Sequence, residues 1–324
     1  MTIYQVAARA GVSPATVSRV MNGARVSAES ERLVRAAAAE LAFTPNRTAR
    51  RLRRNHSEVI ALIIPDIENP FFTALARGVE NRASAGGYSV VLCNTDDDPA
   101  RESTYIGIAL AEHMAGVILA PAGDASDVGR LVAYGRPVVA VDRSLARPGV
   151  DAVTVDNRAG GQSAAESLFA AGYTRVACIT GPSTVETAQL RVEGWRQARD
   201  RHGTGGDELL RYADYRVDGG RAAMADLLAL GEPPDAAVVA NNLMAAGALD
   251  ALRDAGLTPP GFGLAVFGDL PFASFTRQGI RVVDLPAREL GEAAADLLLG
   301  RIAGDDGPAR TVVLRTDRSP REKK

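Results

Sequence analysis

The sequence predicts an N-terminal all-α helix-turn-helix domain, a short hinge helix, and an α/β body of two lobes with parallel sheets. Three observations carry this. The stretch from Thr2 to Gly23 holds two capped helical segments with about three residues between them. From Glu58 on, apolar strand-like runs alternate with helical segments, the pattern of parallel sheets covered on both faces. Those runs outnumber what one compact sheet comfortably holds, so two similar lobes are expected.

In the first helix Val6, Ala7 and Ala10 fall at helical spacing, and Thr2 with Gln5 has the spacing of a capping box. Gly11, Val12 and Ser13 interrupt. Ser13 is the expected N-cap of the second helix, Pro14 takes its first position, and Val17, Val20 and Met21 restart the period. Any small helical hairpin could read this way, so the outward face decides. It offers Ala15, Thr16, Ser18, Arg19 and Asn22, and no acid occurs between Met1 and Ala28. A helix that enters a groove lined by phosphates cannot carry carboxylates freely, so this face is expected to meet DNA.

Ser27 opens a third helix, with Glu29 and Glu31 near its positive end. Leu33, Val34, Ala37, Ala38 and Leu41 give it an apolar stripe to cover the first two helices, and Pro45 ends the unit. "NRTARRLRRN", Asn46 to Asn55, follows. Asn46 is an N-cap candidate, Leu52 is the only large apolar residue, and five Arg repel one another. So short a segment is not a stable lone helix; without DNA it is expected to be a disordered basic linker.

The chain of 324 residues is long enough for about two or three domains, and 46% hydrophobic with 23% charged residues is a soluble globular composition. The formal net charge of −2 hides an asymmetry: residues 1–57 carry +7 and the remainder −9. A basic arm on an acidic body implies a polyanionic partner for the arm alone. Cys93 and Cys178 lie far apart in apolar runs and read as buried reduced thiols. With no secretory signal pattern and no apolar run of the roughly 18 residues a membrane span needs, the expected location is cytoplasmic, on the nucleoid.

In the body, "VIALIIPD", "YSVVLCN", "AGVILAP", "PVVAVD" and "AVTVD" form a first series of strands. "RVACITG", "LLRYADY", "AAVVAN" and "LAVFGD" form a second; "IRVVDLP", a helix from Ala287 to about Ile302, and "RTVVLRT" close the chain. The strands stop on polar or turn residues: Asp66, Asn94, Pro121, Asp142, Asp156, Gly181, Asn241 and Asp269. Open parallel sheets bind ligands at the carboxyl ends of their strands, so two facing lobes would gather these residues at one cleft. Asp156 and Asn94 are read as helix caps, Asp142 and Asn241 as ligand contacts.

Enzyme motifs are poor. The two Lys are Lys323 and Lys324, which excludes a P-loop. No strand is followed by G-x-G-x-x-G, and there is no G-x-S-x-G elbow. His56, His113 and His202 are scattered and no Cys-x-x-Cys exists, so neither a zinc site nor any cofactor is expected.

The segments "TIYQVAARAGVSPATVSRVMNG" and "PNRTARRLRRN", followed by such a body, resemble the LacI/GalR family of lactose and purine repressors over essentially the whole chain. The resemblance implies a periplasmic-binding-protein-like body, a homodimer or tetramer, a near-palindromic operator and a small molecule in the cleft. Its base-contacting positions fall on Pro14, Ala15 and Arg19, with Thr16 and Ser18 as phosphate contacts; Arg25 resembles a further DNA contact. Ser13, Asn22, Asn46, Arg47 and Arg53 complete the expected DNA face. Leu52 matches the leucine that wedges into a central minor-groove step, where it would unstack and kink the duplex. Arg19 can pair bidentately with guanine.

In the body the resemblance places effector contacts on Asn69 and Phe72 of "DIENPFF", on Asp142, on Arg191 of "TAQLRVEGW", on Tyr215, on Asn241 and on Asp269. Two departures stand out: Asn242 replaces an Asp, and Gly268 takes the first position of a usual Asp-Asp pair, leaving Asp269. The implied effector is a sugar or related polyol, or a nucleobase with its ribose acting as corepressor.

The reading is therefore an effector-gated repressor, not an enzyme; the alternative class is a solute-binding sensor without operator specificity. Expected domains are 1–45 for DNA binding, 46–57 for the hinge, and 58–324 for effector binding and dimerisation. Within the last, one lobe is drawn at 58–156 plus 286–311 and the other at 157–285 plus 312–324.

Overall fold

The computed structural model describes residues 2–21, 25–43, 57–123, 126–145, 149–268 and 279–316. Of the expected site residues, Asn22, Asn46, Arg47, Leu52, Arg53 and Asp269 lie outside the described residues. Two compact units divide the chain, Met1–Ser57 and Glu58–Lys324.

The first unit holds α1 (Ile3–Ala10), α2 (Pro14–Met21) and α3 (Ala28–Glu40). The capping box forms: Gln5 N donates to Thr2 Oγ1, and Thr2 N donates to Gln5 Oε1 at 2.8 Å. Gly11 ends α1 at φ 67°, a left-handed conformation that glycine adopts without a Cβ penalty. Ser13 Oγ then accepts from Thr16 N at 3.1 Å, so the second helix restarts at once. Val6, Val17 and Val34, one from each helix, are fully buried and bring the three together. Arg9 of α1 also pairs with Glu40 of α3 at 2.7 Å.

The body has two parallel sheets. The first lies in the order β11 (Thr311–Leu314), β5 (Asp151–Val155), β4 (Val138–Asp142), β3 (Gly116–Leu119), β1 (Val59–Ile64), β2 (Ser89–Asn94). The second runs β10 (Ile280–Val283), β9 (Gly263–Phe267), β8 (Ala236–Val239), β6 (Val176–Thr180), β7 (Leu210–Tyr212). Every described pairing is parallel. Central strands such as β8 and β9 are buried along their whole length, because helices cover both faces. In each sheet the strand order reverses beside the first strand, between β1 and β3 and between β6 and β8. Such reversals open a crevice at the carboxyl ends.

Three helix pairs cross so closely that glycines are required at the contact. α7 (Asn157–Ala170) meets α8 (Glu186–His202) through Gly161 and Gly194. α9 (Val217–Leu228) meets α10 (Asn242–Asp254) through Gly220 and Gly247, and α4 (Pro70–Ala85) meets α11 (Ala287–Ile302) through Gly78 and Gly291. A Cβ at any of the six would fall within 2.3 Å of a backbone oxygen on the facing helix. Among the described residues, α5 (Pro99–Ala111) and α6 (Val128–Ala133) are the further α-helices of the body, both in the first lobe.

Two expectations need correction. The boundary drawn at 311/312 cuts a strand: β11 pairs with β5 from Thr311↔Ala152 to Leu314↔Val155, so residues 312–314 belong to the first sheet. The cause is the return path. α11 docks on α4, and Arg301 near its end forks onto Asp151 at 2.7 and 2.8 Å while Arg310 N donates to the same carboxylate at 2.7 Å. This sets the last strand beside β5. Asn94, read as a cap, does not cap α5; Asp98 does, accepting from Ala100 N at 2.8 Å. Asn94 instead accepts from Ile67 N at 2.8 Å and donates to Asp96 at 2.8 Å, bracing the loop after β1. Asp156 is the cap it was read as, for α7.

Burial works against ionised Asp151, but the donors on Arg301 and the Arg310 backbone outweigh it, and its pKa is lowered. A depressed carboxyl contributes stability that is present above the unfolded value of about 3.9 and lost as pH falls through the folded one. Asp151→Asn should therefore cost about 3 kcal/mol at pH 7 and flatten the acid limb of the stability curve. Denaturant melts at pH 7 and below pH 4 check this; equal losses at both would remove the carboxylate charge from the account.

Candidate functional site

On the first unit, Pro14, Ala15 and Arg19 are exposed along α2, and Thr16 and Ser18 are half-buried beside them. Ser13 and Thr16 hydroxyls bond each other at 2.9 Å, so the helix start orders both. Arg19 pairs with no carboxylate among the described residues, and Arg25 is exposed beyond the helix. The face is thus one guanidinium among short side chains, held by the buried Val17 and Val20 on the opposite side.

In the body, one cavity of about 430 Å³, counted out to solvent, lies between the two lobes. Its lining includes Asn69, Phe72, Asp142, Arg191, Tyr215 and Asn241, drawn from five segments at or after strand ends, Asn69 and Phe72 sharing the one after β1. Six of the seven effector candidates therefore meet at one place. Phe71, Arg143, Thr187, Asn242, Phe267, Gly268 and Leu285 complete the wall. Phe71, Arg143, Thr187, Phe267 and Leu285 were missed as site residues. Closeness along the chain was the available signal for three of them: Phe71 precedes Phe72, Arg143 follows Asp142, and Thr187 sits one helical turn before Arg191.

Asp142 ends β4 at φ 68°, uncommon for a side chain with a Cβ, and is buried. Its carboxylate accepts no hydrogen bond among the described residues; Arg143 Nε stands 3.8 Å from Oδ2. Burial raises its pKa, opposed by the Arg143 and Arg191 cations. Arg143 is itself buried. Its Nη1 donates to Asp97 at 2.6 Å and to the Pro121 carbonyl at 3.0 Å, but its Nε has no hydrogen-bond partner. Burial works against this cation; Asp97 outweighs it, and the pKa is raised.

Arg191 is 5% exposed. It donates through Nε to Asn157 Oδ1 at 2.8 Å and through Nη1 to the Ala240 carbonyl, and its guanidinium lies 4.5 Å over the Phe267 ring. Nη2 has no hydrogen-bond partner among the described residues. The arginine thus packs the second lobe and offers one edge to the cavity.

Tyr215, at φ 63°, stacks over Gly181, where a Cβ would strike the ring at 2.1 Å. Its hydroxyl meets Thr187 Oγ1 at 3.2 Å, and burial raises its pKa, which keeps it a neutral phenol. Asn241 lines the cavity and is held at both ends of its amide: Oδ1 caps α10 at Met244 N (2.8 Å), and Nδ2 donates to the Tyr215 carbonyl (2.7 Å). Asn69 caps α4 through Phe71 N at 3.0 Å. Phe72 is mostly packed in the first-lobe core and meets Phe71 edge-on at 5.0 Å. Gly268 stands at φ 84°, with nothing nearer to a would-be Cβ than Leu285 at 3.8 Å.

Among the described residues there is no group of three or more side chains that could hold a metal, and no helix long and apolar enough to cross a membrane.

Comparison with known proteins agrees with this architecture. Residues 2–46 match "Bacterial regulatory proteins, lacI family", and residues 57–320 match "Periplasmic binding proteins and sugar binding domain of LacI family". The chain is 36% identical over 310 residues to the ribose operon repressor of Escherichia coli (strain K12), covering 93% of each. It is 32% identical over 322 residues to the HTH-type transcriptional regulator KdgR of Bacillus subtilis (strain 168), covering 97% of this chain and 94% of that one. Its fold matches that of the lac repressor dimer bound to operator and the anti-inducer ONPF, with a TM-score of 0.85 and 28% identity over 97% of this chain and 96% of that one. A helix-turn-helix unit and a two-lobed body, matched along nearly the whole chain, make this chain a member of the LacI family of bacterial transcriptional regulators, and not an enzyme.

Proposed function

We propose that the chain is a homodimeric repressor whose operator binding is controlled by a monosaccharide-sized polyol in the cleft. The observation that carries this is the Asp142–Arg143 gap. Arg143 Nε is a buried donor with no hydrogen-bond partner, and the Asp142 Oδ2 acceptor stands 3.8 Å from it, too far to satisfy it. A hydroxyl donates and accepts at one atom, so a sugar hydroxyl bridges such a gap. Unfilled, it leaves the buried Arg143 Nε unmatched, at a cost of about 1–3 kcal/mol. Arg191 Nη2 supplies a further donor, and Phe71 and Phe72 supply apolar surface for the ring carbons. The names of the relatives point the same way, since several are ribose operon repressors.

In this reading residues 1–45 bind the operator, 46–57 form the hinge, and 58–324 bind effector and partner subunit. An effector that bridges both lobes favours one lobe arrangement, and it shifts operator affinity only by its differential affinity for the two. Recovery of bound DNA across the genome would yield the operator. Titration of that duplex with single sugars, read by fluorescence anisotropy, then tests the effector. An operator that no polyol moves, but a nucleoside does, would replace this reading.

Binding should weaken steeply as salt rises, because Arg side chains displace condensed counterions. Arg19→Ala should cost about 1–3 kcal/mol and relax choice at one base pair per half-site. A uniform loss on every sequence would make Arg19 a phosphate contact instead.

A further inference from the structure

Two polar clasps cross the cleft of the body, and neither uses a residue assigned to the effector. In the first, the loop after β4 reaches the start of α8. Ser144 N donates to Glu186 Oε2 at 2.6 Å, and Ser144 Oγ donates to Glu186 Oε1 at 2.6 Å. In the second, Arg216, at the start of α9, meets the loop after β1. It stands 3.4 Å from Glu68 Oε2 and 3.7 Å from Asp66 Oδ2. Ser144, Asp66 and Glu68 belong to the first lobe, and Glu186 and Arg216 to the second.

The clasp residues stand next to the cavity wall in the chain. Ser144 follows Arg143, Glu186 precedes Thr187, Arg216 follows Tyr215, and Glu68 precedes Asn69; each of those neighbours lines the cavity. Contacts between adjacent backbone positions cannot move far apart, so the two clasps form part of the cavity's rim. The first is the stronger. A carboxylate accepting two short bonds in a half-buried setting gains more than an exposed ion pair, and Glu68 is 77% exposed in the second.

The geometry points to a single closure device: the two clasps together hold the lobes shut around the cavity, and Glu186 and Arg216 set how often it opens to admit effector. Two rigid lobes that swing as bodies must break both clasps in one motion. Cutting either one then loosens the other, although Arg216 makes no contact with Ser144. A purely local role for each pair predicts no such coupling. An effector held inside this rim is one small enough to be enclosed, which extends the reading of the cleft without depending on it.

The test is hydrogen exchange at the Ser144 amide of the full chain, with no effector or operator present. Glu186→Gln should speed exchange there about tenfold or more, by removing the charge that accepts this N–H. Arg216→Ala should speed the same amide by about two- to fivefold, the scale of an exposed ion pair. Ser144→Ala keeps the amide as the probe and removes only the hydroxyl bond; it should also speed exchange. Amides of β1 and β8 report that each variant is folded and should not change. Wild-type exchange at Ser144 in Arg216→Ala would overturn the single device, and wild-type exchange in Glu186→Gln would overturn the clasp itself. Because the measurement needs neither ligand, its failure leaves the proposed function standing, and failure of that function leaves this result readable.

Discussion

Arg191→Ala is expected to abolish the effector's influence on operator binding and to destabilise the body as well. The two losses have separate causes. The cavity loses a donor on its second-lobe wall. The interior loses the partner of Asn157 Oδ1 and of the Ala240 carbonyl, and the cation over Phe267. Buried acceptors left without donors cost about 1–3 kcal/mol each, so a fall of about 2–3 kcal/mol is expected in a denaturant melt. Arg191→Lys separates the causes. It keeps the charge but not the planar fork, so it cannot satisfy Asn157, Ala240 and a ligand together. The lysine variant should recover part of the stability while its effector response stays weaker by about tenfold or more. An Arg191→Ala protein that melts like wild type and releases or grips operator at the wild-type effector concentration would remove Arg191 from both roles.

The second large effect concerns packing. Gly161→Val should cost about 3 kcal/mol or more, because its Cβ would lie 2.3 Å from the Arg191 carbonyl oxygen and 3.0 Å from the Arg191 Cα. Backbone cannot swing aside as a side-chain tip can, so α7 and α8 must separate. Arg191 sits at that contact, and effector response should weaken with stability. Gly107→Ala is the control. Gly107 lies within α5 and a Cβ there meets nothing within 4 Å. Alanine should be neutral or stabilising by up to about 1 kcal/mol, from helix propensity alone. Thermal and denaturant melts of the two variants side by side check the contrast. Equal stability of Gly161→Val and wild type would mean that the helix pair tolerates separation and that its closeness is incidental.

Much of this molecule is written in short-range pattern. The Thr2–Gln5 box, Ser13 before Pro14, and Val6, Ala7 and Ala10 at helical spacing specify α1, the turn and α2, because capping and periodic burial are decided within one or two helical turns. The absence of acids from Met1 to Ala28 marks the same unit's partner, since net charge needs no fold to be read. Apolar runs such as "VIALII" and "AAVV" declare buried parallel strands for the same reason. The helix expected from Ala287 to about Ile302 runs over those residues.

What the tertiary structure alone decided is which of these strand ends face one another. Asp142 and Arg191 are 49 positions apart along the chain, and no local pattern records that both line one cavity. Nor does pattern record that Asn241 spends both ends of its amide on α10 and Tyr215, or that Arg143 turns inward to Asp97 with its Nε unmatched. The lobe membership of β11 was misplaced because strand pairing is non-local: Arg301 and Arg310 converge on Asp151 only after α11 has docked on α4. Propensity and periodicity report how a segment pairs with itself and with an apolar interior. Close approach of backbone at glycine crossings, donors shared between lobes, and a carboxylate held at positive φ depend on partners far along the chain, and those exist only once it has folded.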